Sequence, residues 1–146
     1  MRATQQVRYA INGLFDLAYN GGARPVPLLE VGRRQAIPAR YLEQIFQKLR
    51  RAGLVTSKRG PGGGYQLART PESIALSEVV RAVQSSALTL AASETPPSSS
   101  SPEFVFELLR ADLELALSRR SVGDLCREAA ERGVPRVPGE PVTYEI

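Results

Sequence analysis

The chain has 146 residues, 42% of them hydrophobic, with no Trp, no His, a single Cys and a formal net charge of +4. That length suits one compact domain, or a small domain with an attached arm. No apolar run approaches the ~20 residues of a membrane span, and the lone Cys126 excludes an intrachain disulfide framework. Residues 1–70 carry twelve Lys/Arg against three Asp/Glu, whereas residues 71–146 carry seven against twelve. A basic half joined to an acidic half points to a polyanionic partner for the first part, an unevenly solvated surface being the plainer alternative.

Met1–Gln6 lacks the apolar stretch of a signal peptide, so a cytosolic protein is expected. Helical spacing of Val7, Ala10, Ile11, Leu14, Leu17 and Ala18 predicts a first helix over 4–20, with Thr4 as N-cap. Gly21-Gly22 ends it, and Pro25 and Pro27 mark a loop. A short helix fits 28–35, with Arg33-Arg34 at its C-terminal end, where cations suit the helix dipole. Ala36-Ile37 makes a turn, and Pro38 stands at the first position of a third helix over 38–52. In that helix Leu42, Ile45, Phe46 and Leu49 fall at i, i+3, i+4 and i+7, one buried stripe. Gly53 supplies its left-handed C-cap. The β-prone run 54–57, the glycine-rich stretch 58–64 and Tyr65-Gln66-Leu67 read as a hairpin with a long tip.

The order helix, short helix, turn, helix, hairpin is that of a winged helix-turn-helix. After Pro71 a fourth helix is expected at 76–83. Residues 84–102 hold seven Ser, three Pro and no Lys or Arg, which predicts a loop or disordered segment. A strongly amphipathic helix follows at 103–118, carrying Val105, Leu108, Leu109, Leu113, Ala116 and Leu117. Ser121 to Asp124 reads as a capping box opening a last helix to about residue 131. The expected division is therefore a DNA-binding winged domain (1–83), a flexible loop (84–102), a dimerisation helix with a short terminal helix (103–132) and an irregular tail (133–146). The fold class is mainly α with a small β-hairpin wing. The long C-terminal helix, amphipathic and beyond a flexible loop, finds its partner in a second chain, although intramolecular core remains an alternative.

On the face of the third helix away from the stripe, Glu43 and Gln44 suit base edges, Glu accepting from cytosine and Gln pairing with adenine. Arg40, Lys48, Arg50 and Arg51 suit phosphates. A solvated helix face is the plain alternative. The run Arg59-Gly60-Pro61-Gly62-Gly63-Gly64 lets backbone approach a partner closely. A nucleotide phosphate loop needs a strand-loop-helix context and a Gly-Lys-Ser/Thr ending, and both are missing. A wing tip placing Arg59 in a narrow minor groove fits the context.

Arg8-Tyr9-Ala10, Arg40 to Gln44, Leu49 to Val55 and Arg59 to Tyr65 together closely resemble the Rrf2 family of bacterial regulators, over residues 1 to about 83. The resemblance implies a dimer whose long C-terminal helices cross, reading successive major grooves of a pseudo-palindrome. It implies base contacts from Glu43 and Gln44, backbone contacts from Tyr41 and Arg50, and Arg59 in the minor groove. The candidate DNA-contacting set is then Arg8, Tyr9, Arg40, Tyr41, Glu43, Gln44, Lys48, Arg50, Arg51, Lys58, Arg59, Gly60, Pro61 and Gly62. Arg40 is a departure, since better-known members have a smaller polar residue there.

A larger departure concerns iron. Many members hold an iron–sulfur cluster through three cysteines between the fourth helix and the dimerisation helix. Here Ser93 and Ser98 to Ser101 stand in that neighbourhood, and serine hydroxyls replace thiolates poorly at iron. No cofactor is expected, and the signal would reach the chain through a small molecule, a partner protein or a change in the loop. Cys126 reads as a half-buried packing residue, or else as a redox switch whose thiol Arg127 activates. The expected function is a homodimeric, sequence-specific repressor on double-stranded DNA, without membrane partners. The alternatives are a winged interaction module that binds no DNA, and an enzyme, for which no acid–base pair or metal cluster is present.

Overall fold

The computed structural model describes residues 3–84 and 98–137. Its elements are α1 (Ala3–Asn20), α2 (Leu28–Gln35), α3 (Ala39–Arg51), β1 (Val55–Lys58), β2 (Gly64–Leu67), a 3₁₀ turn at Pro71–Ser73, α4 (Leu76–Val83), α5 (Phe104–Ser118) and α6 (Val122–Glu131). The mainly helical fold with one antiparallel hairpin is the winged arrangement expected. Helix α1 is the axis around which α2, α3, α4 and α6 pack.

The stripe on α3 drives this packing. Leu42, Ile45, Phe46 and Leu49 are all at most 1% exposed and share one cluster with Ala10, Leu14 and Leu17 of α1, Val31 of α2 and Val79 of α4. Gly13 of α1 clears the way for Phe46, because a Cβ there would lie 2.7 Å from the Phe46 ring. The end of α3 is a Schellman motif. Gly53, at φ +77°, donates from its N–H to the Arg50 carbonyl at 2.9 Å, and Leu54 donates to the Leu49 carbonyl at 3.0 Å. Leu54 and Leu49, joined in that motif, are both buried.

The hairpin pairs Val55 with Leu67 through to Lys58 with Gly64. Lys58 and Gly64 thus belong to the strands, not to the tip as their sequence context indicated. Val26, placed in a Pro-flanked loop by sequence, forms a third strand position: it exchanges two backbone hydrogen bonds of 2.8 Å with Tyr65. Gly64 beside it has φ +145°, and a Cβ there would meet the Val26 carbonyl carbon at 2.3 Å.

Two helix starts differ from expectation. Thr4 lies within α1, which already includes Ala3, so it is not the cap. Pro38, at φ −59° and ψ 130°, is the N-cap of α3 and not its first turn residue, because its backbone is still extended. The box at α6 forms as read: Asp124 N–H donates to Ser121 Oγ at 3.0 Å and Ser121 N–H to Asp124 Oδ2 at 2.8 Å. These bonds hold the Asp124 carboxyl below its ordinary range.

Helix α6 folds back on α1, its Val122 buried in the common core. The strap at 134–137 continues this: Tyr19 Oη donates to the Val134 carbonyl at 2.7 Å, and the Arg136 guanidinium lies 4.4 Å from the Tyr19 ring centroid. The predicted loop is described only at its ends, since 85–97 lie outside the described residues, as do 138–146 of the tail.

Truncating Phe46 removes the largest fully buried side chain. Phe46→Ala is expected to cost about 3–5 kcal/mol of unfolding free energy in urea titration; a loss under ~1 kcal/mol would contradict this account of the core.

Candidate nucleic-acid interface

A helix that buries one face presents the other, and α3 shows both. Arg40, Glu43, Gln44, Gln47 and Arg51 are all exposed and fall on the side opposite Leu42, Ile45, Phe46 and Leu49 at 3.6 residues per turn. Gln47 is missing from the candidate set. Helical spacing puts it in the middle of this face, one turn after Glu43 and Gln44, and that spacing is the signal that could have found it.

The two flanks of the face are tied to different neighbours. On one side Lys48 Nζ donates to Gln6 Oε1 of α1 at 3.0 Å. On the other, Arg50 Nη1 donates to Ser57 Oγ of β1 at 3.2 Å. At the start of the helix the Tyr41 ring stacks on Tyr9 of α1, with centroids 6.1 Å apart. The Arg40 guanidinium lies 4.8 Å from the Tyr41 centroid and donates to Tyr41 Oη at 3.0 Å, while Gln5 donates to Tyr9 Oη at 2.6 Å. Arg8 is exposed on α1 next to Tyr9. The structure therefore gathers Tyr9, Arg40 and Tyr41 near one end of α3, with Arg8 beside Tyr9 in the sequence of α1.

The hairpin tip forms the second part. Lys58, Arg59, Gly60, Pro61 and Gly62 are exposed. Gly60 and Gly62 take φ +89° and +74°, and Gly63 N–H donates to the Gly60 carbonyl at 2.9 Å. This left-handed backbone needs glycine, and it turns the tip without side-chain bulk. The wing is joined to α3 by Tyr65, whose ring meets Phe46 edge-on at 5.1 Å. Its base is clamped by Arg69, which donates to both oxygens of Glu78 on α4 at 3.0 and 2.9 Å. This ion pair holds the Glu78 carboxyl below its ordinary range.

Arg34 was read from sequence as a dipole-suited cation at the end of α2. It turns inward, with its side chain 7% exposed, to pair with the fully buried Asp16 at 2.7 Å. That hydrogen bond raises the Arg34 guanidinium above its ordinary value.

Of the residues predicted for dimerisation, Leu108, Leu109 and Ala116 are exposed, whereas Val105, Leu113 and Leu117 are half-buried and Leu117 packs against the core. Phe104 and Leu115 add to the exposed apolar surface of α5, in which no residue is buried. Cys126 is half-buried. Burial, the largest influence, pushes its thiol up from the ordinary value, against smaller opposing effects of Arg136 and Arg127. The activating effect considered for Arg127 is thus outweighed by burial.

Among the described residues no group of three or more His, Cys, Asp and Glu is placed to hold a metal ion, and no helix is long and apolar enough to cross a membrane.

Known proteins share this arrangement. The family model Rrf2, described as an iron-dependent transcriptional regulator, matches residues 3–128. The HTH-type transcriptional regulator IscR of Escherichia coli (strain K12 / DH10B) is 51% identical over 86 residues, 59% of this chain and 53% of that protein. The chain thus spans about half the length of the curated relatives it matches. Among solved structures, T. potens IscR superposes with a TM-score of 0.75 at 30% identity, covering 94% of each chain. CymR (YrzC), the global cysteine regulator of B. subtilis, gives 0.72 at 25% identity over 88% of this chain and 98% of that one. These relatives are transcription regulators, not enzymes.

Proposed function

This chain belongs to the Rrf2 family of transcription regulators, and from that premise we propose that it is a cytosolic, homodimeric repressor reading a pseudo-palindromic operator. The observation that carries the reading is the outward face of α3, polar and exposed opposite a buried stripe, with the exposed Lys58 and the Arg59–Gly62 tip attached beside it. Glu43 and Gln44 read base edges in the major groove. Lys48 and Arg50, on opposite flanks, hold the two phosphate walls, and Arg59 enters the adjacent minor groove. Tyr9, Tyr41, Arg8, Arg40 and Arg51 complete the backbone contacts. Occlusion of a promoter then follows from occupancy alone.

The exposed apolar surface of α5 supports the dimer. Leu108 at 59% and Leu109 at 45% exposure are costly to leave in water on a helix already tied to α4 by Arg81–Glu114 at 2.7 Å, and a second α5 is the self-complementary cover.

An iron–sulfur group does not fit the donors present. Cluster irons are held mainly by thiolates, and the chain has one Cys and no His, that Cys half-buried with its thiol pushed up. The input is accordingly a small molecule or a partner protein.

Three kinds of experiment test this reading. In selection from a random DNA pool the protein enriches a pseudo-palindrome. Glu43→Ala or Gln44→Ala then relaxes base preference by about 1–3 kcal/mol per lost contact, whereas Arg50→Ala weakens all sequences and lowers the salt slope by about one. Equal effects on selected and random DNA from all three would refute these roles. Leu109→Glu is expected to shift sedimentation toward monomer and to reduce operator affinity; an unchanged dimer would place the interface elsewhere. Protein purified without oxygen should lack the visible absorption of a cluster and stoichiometric iron and sulfide, and their presence would overturn the cluster-free reading.

A further inference from the structure

We infer that Asp16 is the positioning residue that sets the pose of the reading helix; the inference rests on the DNA-binding reading above. Asp16 lies on α1 with no exposed surface. Its carboxylate accepts from Arg34 Nε at 3.0 and 3.1 Å, Arg34 Nη2 at 2.7 Å, Gln35 Nε2 at 3.0 Å and Asn20 Nδ2 at 3.0 Å. Arg34 and Gln35 are the last two residues of α2, and three residues separate them from the start of α3.

Those three residues have little freedom. Ala36 is held in the left-handed region at φ 55°, the one described non-glycine residue to be so. Ile37 N–H donates to the Gly32 carbonyl at 3.0 Å, and Gly32 is packed so closely that a Cβ would stand 2.6 Å from the Ile37 carbonyl oxygen. Pro38 has its φ fixed by its ring. A displacement of the end of α2 therefore passes through a stiff turn into Ala39 and the outward face of α3.

The α3 stripe alone cannot supply this precision. Apolar contacts are non-directional, so the stripe fixes which face is buried more firmly than it fixes slide along α1 or tilt against it. The planar guanidinium fork on a carboxylate fixes direction as well as distance. The network also reaches outward: Asn20, which donates to Asp16, accepts from the Val137 N–H of the C-terminal strap at 2.8 Å. Asp16 thus sits where α1, α2 and the strap meet.

The test compares affinity for the selected operator with affinity for random DNA, each across salt concentrations, in folded full-length protein. Arg34→Lys keeps the charge and loses the fork. It is expected to weaken operator binding by about three- to thirtyfold while random-DNA affinity and the salt slope stay as in the wild type. Asp16→Leu combined with Arg34→Met removes the pair in favour of apolar packing, a replacement that buried ion pairs often tolerate without loss of fold, and it should give the same selective loss. If Arg34→Lys does not fold, the double variant decides. Retained discrimination in a folded variant, or equal loss on both DNAs, overturns the inference. Absence of discrimination in the wild type overturns the DNA reading and this inference with it, so the two failures are distinguishable.

Discussion

The stripe Leu42, Ile45, Phe46 and Leu49 has to be covered along its whole length, and each cover comes from a different element. Helix α1 supplies Leu14 and the gap at Gly13, α2 supplies Val31, α4 supplies Val79, and the wing supplies Tyr65. A helix about 10 Å across cannot hide one face in this way without presenting the other. The exposed row from Arg40 through Glu43, Gln44 and Gln47 to Arg51 is the geometric complement of the core. Stability and presentation are in this sense one constraint, since any change that rotates the stripe also rotates the row.

Electrostatics then divides the molecule by depth. Arg50, Lys48 and Arg40 are fastened to uncharged partners, Ser57, Gln6 and Tyr41. Such contacts orient long side chains and give way when an anion arrives, because an ionised phosphate oxygen is a stronger acceptor for Arg or Lys than a hydroxyl or amide oxygen. Arg34 is different in kind: buried, forked onto Asp16 and unavailable to a ligand. Arginines of the same basic half thus have opposite fates, set by whether a carboxylate waits inside.

Local patterns explain why so much could be read in advance. The α3 stripe, the Gly53 terminus and the Ser121–Asp124 box each depend on residues within a few positions of one another, so spacing was enough to find them. What escaped notice depends on distance along the chain. Asp16 and Arg34 are separated by a loop, and an acidic residue among the apolar positions of α1 carries no mark of its partner. Val26 looked like loop because Pro25 and Pro27 flank it, yet its N–H and carbonyl face Tyr65, 39 positions later. The amphipathic pattern of α5 was legible, but not which part of it the same chain would cover: Leu117 turned inward while Leu108 and Leu109 stayed outside. The grouping of DNA-facing candidates was legible for the same reason as α3 itself, through helical period, with Gln47 overlooked although it obeys the same rule.

At the root of the wing, the Gly64 backbone is pressed against Val26 in a conformation that side-chain-bearing residues rarely adopt. The root of the wing is therefore set by main chain as well as by the Tyr65 and Arg69 side chains. Substitutions at Lys58, Arg59 or Pro61 alter what the tip touches, but they leave untouched the offset between the tip and α3. The protein carries, in effect, a ruler whose graduations are backbone atoms. Exchanging a side chain at the tip changes what stands at the end of that ruler and leaves its length as it was.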